Sequence, residues 1–190
     1  GRRDGEGLPL KEVTIADRLK AAGYATDLVG KWHLGDAKQF LPIHHGFDEY
    51  LGLPYSNDMW PLHPSGPGAF PDLPLFKNER IVNPAVTRQD QEQFTTDFTE
   101  HAIDFIKRKQ HESFFVYLAH PMPHVPLHVS EKFKGKSGQG MFGDVMMEVD
   151  WSVGQIVETL KENRLDENTL LIVTSDNGPW LNYGNHAGNP

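Results

Sequence analysis

Lys31 and His33 flank Trp32 at the end of an apolar run, in GYATDLVGKWHLG. A second pair, His120 and His124, follows FFVYLA, and Asp176 with Asn177 follows TLLIVTS. An ammonium offers a compact positive charge to an anionic oxygen. Imidazoles donate to such an oxygen or carry protons near neutral pH. A carboxylate beside an amide oxygen is a hard ligand for Ca²⁺ or Mg²⁺. Together these groups suit the cleavage of an anionic ester at a divalent metal, although no nucleophile is evident among them. Each has an ordinary reading when taken alone. A lysine after a strand is commonly solvated, a histidine is commonly satisfied by a carbonyl, and SDNGP and HPMPHVP are rich in turn residues. Recurrence after three apolar runs sets them apart.

The elements that must position these residues follow from periodicity. Thr14 is an N-cap, and Ile15, Leu19 and Ala22 recur at helical spacing until Gly23 stops the helix. A strand is expected over residues 24–29. Residues 41–86 are dense in proline and glycine, hold no period, and read as a long irregular excursion of the kind that shapes a site. Phe94, Phe98, Ala102, Phe105 and Ile106 form a helical core stripe, followed by a strand over residues 114–119. Val145, Val149, Val153, Ile156, Val157 and Leu160 mark another long helix, followed by an expected strand over residues 169–174. Apolar strands with little alternation, separated by helices, predict an α/β fold with a largely parallel sheet covered by helices. In such sheets sites form beyond the carboxyl ends of the strands. Lys31, His33, His124, Asp176 and Asn177 are therefore expected at one edge.

Composition narrows the partners. The 190 residues carry a net charge of −8 with 26 acidic side chains, and no basic stripe suits nucleic acid. Cysteine is absent, which removes disulfides and thiolate metal sites. No apolar run approaches the roughly 20 residues of a membrane-spanning helix.

Several ordered segments carry a resemblance. VGKWH, preceded by LPLKEVTIADRLKAAGY and followed by HHGFDEYLGLPYSNDM, AHPMPHVP and LLIVTSDNGP, resembles the sulfatase family, of the arylsulfatase A type, along nearly the whole chain. The resemblance implies an alkaline-phosphatase-like sandwich and hydrolysis of sulfate esters by a formylglycine made from Cys or Ser. It implies that Lys31 holds the nucleophile and a sulfate oxygen, and that His33 serves the nucleophile and the elimination of sulfate. His124 would contact the ester and protonate the leaving oxygen. Asp176 and Asn177 would bind a divalent cation, calcium before magnesium. The implied partner is a sulfated small molecule or sulfated glycan, and the implied setting is exported: periplasmic, secreted or lysosomal.

The family's Cys/Ser-x-Pro-x-Arg motif and its paired N-terminal aspartates have no counterpart in this sequence. Ser65-Gly66-Pro67 lies downstream of VGKWH, with Ala69 where arginine is needed, so Ser65 is not read as the nucleophile. Residues 1–190 are thus expected to be a partial catalytic domain that lacks the N-terminal nucleophile and metal segment and a C-terminal portion, and to be inactive alone. Two rivals stay open: a metal-dependent phosphatase or phosphodiesterase of the same superfamily, and a non-catalytic anion-binding module. His45 reads as a packing residue. Tyr55, Asn57 and Asp58 read as substrate contacts or turn residues, and His186 as a possible pocket residue.

Overall fold

The computed structural model describes residues 5–178. Among the described residues five strands form one sheet in the order β4-β3-β2-β1-β5: β1 Ala25–Lys31, β2 Glu49–Leu53, β3 Leu75–Lys77, β4 Arg80–Asn83 and β5 Phe114–Ala119. β1 runs parallel to both β2 and β5, and an antiparallel β3–β4 hairpin extends the flank beyond β2. The α-helices of the described residues complete the layers: α1 Ile15–Ala21, α2 Arg88–Arg108 and α3 Gly140–Glu162.

Alternation along β1 divides the core into two layers. Val29 faces a cluster with Phe94, Phe98, Ala102 and Ile106 of α2, backed by Ile156 and Leu160 of α3. Leu28 points the other way, to Ala16 of α1, Tyr50 of β2 and Phe76 of β3. α1 and α2 begin with reciprocal capping boxes: Thr14 with Asp17, and Thr87 with Asp90. In each, the hydroxyl accepts an orphan helical N–H while the aspartate accepts the cap's own N–H.

The irregular excursion expected over residues 41–86 in fact holds β2, β3 and β4. They are strands of three to five residues, too short for a period to emerge, and pairing rather than local preference makes them. The strand expected over residues 169–174 does not form among the described residues. That segment joins no ladder, and Leu170 and Ile172 are 84% and 71% exposed. A strand exists only where a neighbour completes its hydrogen bonds, and β5, the edge beside β1, pairs with nothing further among the described residues.

Asp27 is fully buried in β1, with His101 Nε2 of α2 at 3.5 Å and no closer hydrogen bond at either carboxylate oxygen among the described residues. Burial raises its pKa, and Glu49 adds to this. His101 and Arg108 oppose the shift. A carboxyl with a raised folded-state pKa contributes most stability below its unfolded value, and loses it as pH rises through the folded value. Asp27→Asn should therefore melt a few degrees closer to, or above, wild type at pH 7.5 than at pH 4.5. An equal gap in melting temperature at both pH values would contradict this account.

Candidate active site

β1 is the point at which the parallel sheet changes direction, since β2 lies on one side of it and β5 on the other. The crevice beyond such a strand is where open α/β sheets place ligands. Lys31 closes β1, opposite Leu53 of β2. The chain stays tied to β2 past the ladder's end: Trp32 N donates to Leu53 O and His33 N to Pro54 O. Trp32 turns to the opposite face from Lys31. It is 8% exposed, donates its indole N–H to Phe40 O at 2.7 Å, and packs its ring on His45 and Phe47. Trp32 thus anchors the turn, with Lys31 and His33 on the crevice side, and His45 is the packing residue expected. His33 takes a left-handed backbone at φ 63°, a region that few residues other than glycine occupy and one often found at functional turns.

The end of β2 contributes Tyr55, Ser56, Asn57 and Asp58, and the end of β5 contributes His124. His33 meets the Tyr55 ring edge-to-face at 5.5 Å. Ser56 is buried, with its Oγ 3.4 Å from His124 Nδ1. His124 Nδ1 also lies 2.6 Å from Val125 O. A carbonyl only accepts, so Nδ1 carries a proton and Nε2 is the nitrogen left to gain or lose one. Asn57, fully buried, joins the two loops by donating to Gln91 Oε1 of α2 and to Pro126 O, each at 3.2 Å. Gln91 returns a bond to Asn57 O.

Desolvation and the nearby Lys31 ammonium lower the His33 pKa. Asp58 opposes this, and His124 adds to the lowering. His33 is therefore neutral at pH 7 and able to accept a proton. Asp58 in turn lies 3.6 Å from His63 Nε2. His63 Nδ1 accepts from Ser65 N, which leaves Nε2 as the protonated nitrogen facing the carboxylate.

His120 does not join this group. Its Nε2 meets Ser152 Oγ of α3 at 2.8 Å, and Ser152 meets Thr99 Oγ1 of α2 at 2.6 Å. Thr99 donates to Thr95 O, so Ser152 must donate to Thr99 and accept from His120 Nε2–H. Burial lowers the His120 pKa to about 4, and the residue serves as a neutral strut between β5 and the helices.

Asp176 and Asn177 lie exposed on a bend after the unpaired segment, with Ser175 Oγ donating to Asn177 O. Among the described residues no hydrogen bond or ion pair ties either side chain to the Lys31 group. Their oxygens suit a hard cation but fill two of the roughly six to eight positions around calcium. Among the described residues no three His, Asp or Glu side chains converge as a metal shell. His186 lies outside the described residues.

Three parallel strand ends thus bring Lys31, His33, Ser56 and His124 to one crevice, but the third strand is β2 rather than residues 169–174. Ser56 escaped the sequence reading because β2 did. The signal that could have found it is EYLGLPYSND, a short apolar run that gives way to polar residues in the same manner as VGKWH.

The sulfatase family model matches residues 2–190. The chain belongs to the sulfatase family. N-acetylgalactosamine-6-sulfatase of Sus scrofa is 38% identical over 183 residues, 92% of this chain and 34% of that protein. Arylsulfatase A of Bos taurus is 38% identical over 195 residues, 96% of this chain and 38% of that protein. The chain therefore spans about a third of the length of the curated sulfatases it matches. The crystal structure of the PsFucS1 sulfatase from Pseudoalteromonas sp. superimposes with a TM-score of 0.85 at 27% identity, covering 100% of this chain and 43% of that one. The structure of Ps i-CgsB in complex with k-i-k-neocarrahexaose matches with a TM-score of 0.65 at 28% identity, covering 86% of this chain and 40% of that one. These neighbours agree with an alkaline-phosphatase-like α/β fold. Among the described residues no helix is long and apolar enough to cross a membrane.

Proposed function

We propose that this chain is the strand-end half of a sulfatase active site, within a longer enzyme that hydrolyses the sulfate ester of a sulfated glycan. The observation that carries the reading is the crevice at β1, where a lysine, a neutral histidine and a tautomer-defined histidine stand together in a chain of this family. The names of relatives support the glycan: one is an N-acetylgalactosamine-6-sulfatase, and a structural neighbour is in complex with k-i-k-neocarrahexaose.

Lys31 would hold a sulfate oxygen and stabilise the charge that builds on the transferring group. His33, neutral at pH 7, would accept a proton from the nucleophile's hydroxyl. In its imidazolium form His124 would donate the Nε2 proton to the leaving oxygen and become neutral, while Val125 O holds Nδ1–H and sets the ring's orientation. Ser56, beside the same ring, would help fix it. Asp176 and Asn177 would hold part of a calcium shell, and a formylglycine and calcium, when bound, would supply an attacking oxygen and a positive charge beside the sulfate. No residue of this chain matches the formylglycine motif, so the chain by itself should not turn over 4-nitrophenyl sulfate, whereas a longer protein carrying that motif should. Turnover by the isolated chain would refute the assignment, as would a longer protein that leaves every sulfate ester intact.

Metal binding provides a separate check. With one carboxylate and one amide, the isolated chain should bind Ca²⁺ at about millimolar strength, in the range of charge-poor sites. In the longer enzyme binding should be tighter, and Asp176→Ala should weaken it. Calorimetric titration that finds micromolar binding by the isolated chain would move the calcium site elsewhere.

A further inference from the structure

We infer that the groove next to the candidate active site is a subsite for a second sugar ring bearing an acid group, the neighbour of the sulfated ring on a glycan chain; this rests on the reading of the protein as a glycan sulfatase. The groove has a volume of about 480 Å³, within the range of small-molecule sites. Its walls continue the two loops that build the crevice. Trp60 and Leu62 line it a few residues after Ser56, and Pro126 and His128 line it just after His124. Asn57 bonds Pro126 O and Gln91 bonds Asn57, so the two walls are held at a set spacing. A chain whose sulfated end sits at Lys31 and His124 would run into this groove.

Three observations identify what the groove would hold. Trp60 is 3% exposed, yet its indole N–H has no acceptor among the described residues. An indole nitrogen only donates, so it calls for an oxygen from a ligand. Arg88 lines the groove, is exposed, and makes no ion pair among the described residues. Its planar fork of donors matches the two oxygens of a carboxylate or sulfate. Lys134, also in the lining, is held by Glu131 at 2.6 Å, and Glu92 supplies a carboxylate able to accept from sugar hydroxyls. One uncommitted guanidinium, one buried donor and one acceptor suit a hydroxylated ring carrying one acid group.

The test uses the longer, active enzyme and three substrates: 4-nitrophenyl sulfate, a sulfated disaccharide whose second ring carries a carboxylate, and the same disaccharide with an uncharged second ring. Arg88→Gln should raise KM for the acidic disaccharide about tenfold or more and leave kcat, the uncharged disaccharide and the aryl sulfate within about twofold. Trp60→Phe, which keeps the ring and removes the donor, should raise KM for both disaccharides and spare the aryl sulfate. Equal losses on all three substrates would make Arg88 structural and overturn the subsite, and so would an unchanged KM for the acidic disaccharide. A wild-type enzyme that cleaves the aryl sulfate but gains nothing from the acidic ring would sink the subsite alone. One that cleaves none of the three would sink the sulfatase reading along with it.

Discussion

Replacing His124 by Ala in the active enzyme should lower kcat by about a hundredfold or more for an alkyl or sugar sulfate, and by much less for 4-nitrophenyl sulfate. The reason lies in the leaving group. An alkoxide is a strong base and needs a proton as the ester bond breaks, whereas a nitrophenolate departs without one. His124 is built for that donation, because Val125 O holds Nδ1–H at 2.6 Å and leaves Nε2 to exchange the proton. Lys31→Ala should lower kcat by about a hundredfold or more for both substrates, since charge on the transferring sulfate develops whatever group leaves. Steady-state rates on the substrate pair separate the two roles. Equal losses for His124→Ala on both would deny it proton donation, and a loss below about threefold for Lys31→Ala would make it a bystander.

Gly30→Ala should destabilise the protein by about 3 kcal/mol or more, as expected when a forbidden backbone region and a backbone clash coincide. Gly30 sits at φ 109°, and an added Cβ would lie 2.0 Å from Ala119 O of β5. Gly52, its register partner on β2, is similarly confined, with an added Cβ 1.8 Å from Gly30 O. Three strands thus close to backbone contact one residue before Lys31, where the crevice opens. Gly23→Ala serves as the control. It has φ 90° but nothing within 4 Å of the added carbon, so its loss should be nearer 1 kcal/mol. Denaturant unfolding of both variants reads the difference. A Gly30→Ala loss no larger than that of Gly23→Ala would mean that β5 yields to the new methyl and that the strand spacing is not a constraint.

The long helices, the Thr14 cap, β1 and β5 were legible in the sequence because each is specified locally. Phe94, Phe98, Ala102 and Phe105 repeat at helical spacing, Thr14 stands directly before the period of Ile15 and Leu19, and LVG and FFVYLA are apolar runs bounded by polar residues. Lys31 and Trp32, successive at the end of β1, likewise fall on opposite faces. The ordered motifs identified the sulfatase family for the same reason: each is a contiguous string.

What joins distant segments was decided only by the tertiary structure. β2 and its hairpin are too short for any period, and they exist because β1 offers them a ladder. Residues 169–174 have the composition of a strand but no such neighbour among the described residues, and they stay exposed. His120 and His124 read alike in the sequence. Ser152 and Thr99 draw the first into the helix layer, while Ser56, 68 residues away along the chain, meets the second. Hydrogen bonds and strand pairing between residues far apart in sequence depend on how the backbone closes in space, and a local pattern of residue types carries no record of that closure.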